Sequence, residues 1–218
     1  MRKERFLQER QRNRLLENSG ISLVQGSHLI SVDIQPEYKN AITFSLQDYI
    51  QFLNNNNDSL NSLTFLYNGY ETLGMVTEND YKYWLLDNGL EESVLDTAKF
   101  YDKGYAFFRY CIDEGAEEQE IVNLVKYMMQ NNINDSRDID QEMWQGFMQQ
   151  YDYETSQVRD LLEVAGDCIN IPDLMDYLAW FGGKITLCGG GINECFKEVE
   201  IALTALEKGY NVLTQYTY

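Results

Sequence analysis

The sequence predicts a three-layer α/β sandwich: a mainly parallel, Rossmann-like sheet with a helical insertion at about residues 109–180. Three observations carry that expectation. Short β-rich runs that end on polar residues alternate with segments of helical period. A long stretch of helical spacing then interrupts the alternation. Finally, an apolar run over 184–188 meets Gly189, Gly190 and Gly191 and passes into an amphipathic segment, the pattern of a strand, a tight turn and a helix start. A chain of 218 residues, 44% hydrophobic, buries a sizeable core and suits one α/β domain over 21–218, preceded by a basic helical arm at 1–20.

The arm is rich in Arg, Glu, Gln and Leu, which favour an exposed helix. Phe6, Leu7, Leu15 and Leu16 give it a narrow apolar seam for the body of the protein or a neighbouring subunit, so a homo-oligomer is among the expected partners. The run from His28 to Ile34 reads as a buried parallel strand ending on Asp33. Ser45, with Asp48 three residues on, starts the next helix. A loop at 54–58 leads to a second strand over 63–67, which turns at Asn68-Gly69. A helix opens at Asn79-Asp80, runs through Tyr83, Trp84 and Leu86, and stops near Asn88-Gly89. Residues 98–104 form a weaker third strand that carries Asp102 and Lys103.

Helical spacing recurs over 117–129, 141–148 and 156–164, with a break at 131–138. Pro172 sits in the first turn of a further helix over 173–180. The strand at 184, a helix over 194–208 stopped by Gly209, and a strand over 210–218 complete the chain.

Charge narrows the function classes. The formal net charge is -18. Residues 1–17 hold six Arg/Lys against three Glu, so the rest of the chain is still more acidic. Such a surface repels nucleic acid over most of its area. No apolar run approaches the length of a membrane span and the start is charged, so no membrane partner is expected and cytoplasmic residence is the default. Cys111, Cys168, Cys188 and Cys195 are widely spaced, and His28 is the single histidine, which points to reduced thiols and no structural zinc. The glycine run lacks a GxGxxG or Walker lysine pattern, so a dinucleotide site is not expected.

Ligand sites in open α/β sheets lie beyond the carboxyl ends of the strands. Those ends carry Asp33 with Gln35, Asn68, Asp102 with Lys103, and the segment from Gly189 to Cys195. On one rim they supply a base, an amide, a cation and a thiol. Tyr101, Tyr105, Phe107 and Phe108 are candidates to line a pocket there. Cys188, inside the apolar strand, reads as structural, whereas Cys195 reads equally as a packed thiol or as a nucleophile at a helix start.

Val32-Asp33-Ile34-Gln35 resembles the first-strand Asp-x-Gln of the isochorismatase-like cysteine hydrolases. The turn from Gly189 to Cys195, with its helix ending Glu207-Lys208-Gly209-Tyr210-Asn211-Val212, resembles their nucleophile turn, although Ile192 stands where that family often has Thr. Asp102-Lys103-Gly104-Tyr105-Ala106-Phe107 resembles their third-strand lysine region. The resemblance implies Asp33 as base, Lys103 as electrophilic assistant and Cys195 as nucleophile. It also implies an amide or related bond in a small-molecule substrate and a covalent acyl-enzyme, or a descendant that keeps only the fold. No cofactor is expected, and no metal, since the zinc-binding acids and histidine of the family's metal-dependent members have no counterpart after Asn68. Gln35, Asn68, Gly190, Gly191 and Glu194 are the matching substrate-binding candidates, with amides near Glu194 and Cys195 for an oxyanion.

Two other readings stay open. Asp33, Asp102, Asp113, Asp135 and Asp138 resemble the carboxylate set of Mg²⁺-dependent PIN-like nucleases, whose late α/β unit the 184–208 segment also resembles. The acidic surface also suits a noncatalytic binding or inhibitory protein.

Overall fold

Five strands form one sheet in which every neighbouring pair is parallel: β1 (His28–Val32), β2 (Ser62–Tyr67), β3 (Lys99–Asp102), β4 (Ile185–Gly189) and β5 (Tyr210–Val212). This computed structural model describes residues 24–69, 77–103, 108–168 and 173–218. The arm expected at 1–20, Tyr105, Phe107 and Pro172 lie outside the described residues. The strand order is β3-β2-β1-β4-β5, so the winding reverses between β1 and β4. Register sets Val32 beside both Leu66 and Gly189, and Tyr67 beside Asp102. The residues that follow, Asp33, Asn68, Lys103 and Gly190, therefore emerge on one rim.

Alternation along β1 explains the layers. Leu29 joins Phe65, Tyr49 and Leu53 on one face, covered by α1 (Leu46–Asn56) and α2 (Glu78–Asp87). Ile30 and Val32 join Leu66, Leu187, Val125 and Leu203 on the other. That second face carries α4 (Phe108–Asp113), α5 (Glu118–Gln130), α6 (Gln141–Gln150), α7 (Arg159–Cys168) and α8 (Asp173–Ala179), the helical insertion between β3 and β4, together with α9 (Cys195–Ala205). A strand buried on both faces reads as a continuous apolar run, as β4 does.

Local chemistry fixes the helix starts. The Ser45 side chain accepts the Asp48 amide, and Thr77 with Asp80 forms a capping box that starts α2 slightly earlier than the Asn79-Asp80 pattern suggests. Two elements differ from expectation. A short helix, α3 (Glu92–Thr97), precedes β3; its six residues bury Val94 alone, too little for a periodic signal. The final strand stops at Val212, and a 3-10 turn (Thr214–Tyr216) follows. Tyr216 packs against Phe44, Tyr49 and Phe52, which draws the chain off the sheet edge and onto α1.

Candidate active site

The crevice where the winding reverses is where such sheets bind ligands, and the Gly-rich turn is built against it. A Cβ on Gly189 would lie 2.3 Å from the Val32 carbonyl oxygen and 2.8 Å from Ile34, and the residue has φ +83°. Only glycine fits there. Gly190, at φ +61°, backs onto Phe196, so the turn delivers the chain directly into α9 with Cys195 as its first residue.

Asp33, Lys103 and Cys195 meet on this rim. Asp33 is fully buried and follows β1 with φ +47°, an uncommon conformation for a residue with a side chain. Its amide donates to the Leu66 carbonyl at 2.9 Å. Lys103 follows β3, donates its amide to the Tyr67 carbonyl at 2.9 Å, and is 3% exposed. Its Nζ lies 3.2 Å from Asp33 Oδ2, so the ion pair reaches across the end of β2. The separation suits an ionic contact. Among the described residues neither Asp33 carboxylate oxygen has an aligned hydrogen-bond partner. The half-buried Cys195 thiol lies beside the same carboxylate.

Electrostatics define the resting state. Burial pulls the Lys103 ammonium down, but Asp33, then Cys195 and Glu198, outweigh it, and the group is held charged. Burial and then the Asp33 charge push the Cys195 thiol up to about 12, with Lys103 opposing them. The centre at rest is a neutral thiol beside a paired carboxylate and ammonium, not a preformed thiolate. A helix start alone would have lowered the thiol; here burial and Asp33 prevail.

The other candidates have visible partners. Gln35 is buried, accepts the Asn68 amide at 2.9 Å and donates to the Asn68 carbonyl at 3.2 Å and to Glu37 at 3.0 Å. It locks the end of β1 to the end of β2. The Glu194 amide donates to the Gly191 carbonyl at 2.8 Å, as does that of Phe196 at 3.2 Å. Glu194 therefore offers no free amide to an oxyanion. No backbone carbonyl among the described residues accepts from the Cys195 amide.

The nuclease-like aspartates do not assemble. Asp102 accepts the Gly69 amide at 3.3 Å, Asp135 pairs with Arg137, and Asp113 and Asp138 are exposed. Among the described residues no three His, Cys, Asp or Glu side chains are grouped to hold a metal. His28 bonds Ser62 and Gly182 at the opposite end of the sheet. Cys111 and Cys188 are buried thiols in no disulfide among the described residues, and no helix among the described residues is long and apolar enough to cross a membrane.

Two residues of this rim escaped the sequence. Glu198 is buried one turn beyond Cys195, a spacing readable on a helix although its closeness to Lys103 is not. The Tyr218 hydroxyl donates to the Asp33 carbonyl at 3.1 Å, across nearly the whole chain, where no local pattern signals it. No protein-family model, curated protein or solved structure matches the chain.

Proposed function

We propose that the protein is a cysteine-dependent hydrolase of the isochorismatase-like kind, cleaving an amide or related bond in a small molecule. One observation carries this reading: a fully buried carboxylate, with no aligned hydrogen bond among the described residues, lies beside both a thiol and a buried ammonium, on the strand-end rim where the sheet reverses its winding. A buried ion pair is a poor stabiliser, because desolvation offsets its attraction. Fold stability alone does not call for it; proton transfer does.

In this reading Asp33 takes the proton as the Cys195 sulfur attacks the substrate carbonyl carbon. Asp33 becomes neutral at the moment the carbonyl oxygen becomes negative, so the Lys103 charge is released from one partner to stabilise the other. The Cys195 amide, from which no backbone carbonyl among the described residues accepts, is a main-chain donor for the oxyanion. Collapse of the adduct breaks the C–N bond, and the Asp33 proton passes to the leaving nitrogen. Water, deprotonated by Asp33, then cleaves the thioester, giving the carboxylic acid and restoring the thiol. The high resting thiol value fits this order, since the proton leaves only as the bond forms.

Intact-mass spectrometry of the protein mixed with a panel of small primary amides and activated esters tests the proposal. An acyl adduct on Cys195, absent in Cys195→Ala and strongly reduced in Asp33→Asn, which lacks the base for the attack, is the expected result. Full Cys195 occupancy by no member of the panel, together with no hydrolysis, would leave a fold without the activity.

A further inference from the structure

We infer that Tyr218 is a positioning residue, which fixes the base to the turn that carries the nucleophile. The inference rests on the proposed roles of Asp33 and Cys195.

A residue with a side chain at φ +47° occupies the left-handed region that side chains disfavour, so the surroundings must determine it. Both main-chain groups of Asp33 are pinned. The amide is held by the Leu66 carbonyl at 2.9 Å, and the carbonyl accepts from the Tyr218 hydroxyl at 3.1 Å. The next carbonyl, of Ile34, accepts from the fully buried Tyr81 hydroxyl at 2.7 Å. Two tyrosines from distant parts of the chain thus hold consecutive peptides, and Tyr81 lies in the core beneath α2 while Tyr218 faces the rim.

What separates Tyr218 from a packing residue is its other end. Its amide donates to the Gly190 carbonyl at 3.2 Å, and its carbonyl accepts from the Ile192 amide at 2.7 Å. Those two bonds register it on the turn that leads into Cys195. One residue therefore spans β1, through its hydroxyl, and the Gly-rich turn, through its backbone. It adds a second link between the Asp33 backbone and the turn before Cys195, beside the β1–β4 pairing of Val32 with Gly189. The phenol is also close enough to Asp33, Cys195, Tyr38 and Glu194 that burial and these groups hold it firmly protonated, as a donor must be.

Tyr218→Phe removes the hydroxyl and keeps the ring and both turn bonds. Two readouts on the intact protein test it. Iodoacetamide labelling of Cys195 is expected to slow by about ten- to a hundredfold, since small misplacements of reacting groups have effects of that size. Independently, the NMR three-bond HN–Hα coupling and carbonyl ¹³C shift of Asp33 are expected to move, reporting φ and the lost hydrogen bond without reference to any reaction. The melting temperature serves to separate a general loss of structure, and Tyr81→Phe serves as the comparison for a lost tyrosine hydroxyl away from the turn. An unchanged Asp33 signature with unchanged labelling overturns the inference. A changed signature in a protein whose native Cys195 is inert keeps the positioning role and sinks the hydrolase reading instead.

Discussion

Cys188 and Cys195 flank the same three-glycine turn, and both thiols are pushed up to about 12, yet for different reasons. Cys188 is sealed inside β4, where burial dominates and the nearby Tyr49 and Ser31 hydroxyls only temper it. Cys195 opens α9, is half-exposed, and owes part of its rise to the charge of Asp33. Burial alone makes a thiol inert. A rise caused by an adjacent carboxylate is different, because in the proposed reaction the group that disfavours the thiolate at rest is the one that accepts its proton during attack. Exposure and the neighbouring Asp33, not the value itself, separate the core residue from the candidate nucleophile.

The largest expected effect comes from breaking the charge balance behind Cys195. Lys103→Met strands the Asp33 carboxylate in the core and should cost about 3–5 kcal/mol in urea unfolding. Adding Asp33→Asn should recover much of that loss, which a pair of unrelated destabilising changes would not do. Next is the turn itself. Gly189→Ala forces a Cβ against the Val32 carbonyl at a positive φ and should cost about 2–3 kcal/mol; a loss within about 0.5 kcal/mol would show that β1 and β4 can separate freely.

Alkaline titration sharpens the comparison further. The folded thiols keep their protons up to about 12, whereas an unfolded chain releases them near 9.0. Between those values the unfolded state binds fewer protons, so this stabilisation is complete below about pH 9 and fades as pH rises toward 12. Cys188→Ala and Cys195→Ala should each flatten that fall, measured by urea midpoints at stepped pH. Smallest is Cys195→Ser in neutral buffer, expected to shift stability by less than about 1 kcal/mol because the site is half-exposed. A larger change would make Cys195 a packing residue like Cys188.

Much of the scaffold was legible because its signals are local. Ser45 caps where its spacing to Asp48 says it should, and the apolar run of β4 ends at glycines that the close approach of Val32 requires. Asp33, Lys103 and Cys195 were readable as strand-end or helix-start polar residues, and the strand order brings those ends together. Other features depend on partners remote in sequence. Gln35 looked like a ligand donor, but its amide is engaged by the Asn68 backbone. Glu194 carries its amide in a turn closed by Gly191. Tyr218 reaches Asp33 only because Tyr216 is drawn onto an aromatic patch and the chain leaves the sheet after Val212. Residue type and period contain none of those contacts.

The most direct measurement is competitive labelling of the native protein with limiting iodoacetamide, read by peptide mass spectrometry, with Asp33→Asn/Lys103→Met run in parallel. The account predicts that Cys195 is labelled well ahead of Cys188, and that the lead shrinks when the carboxylate and ammonium are replaced. Equal labelling of the two cysteines, or a Cys195 lead that persists in full without Asp33, would contradict it.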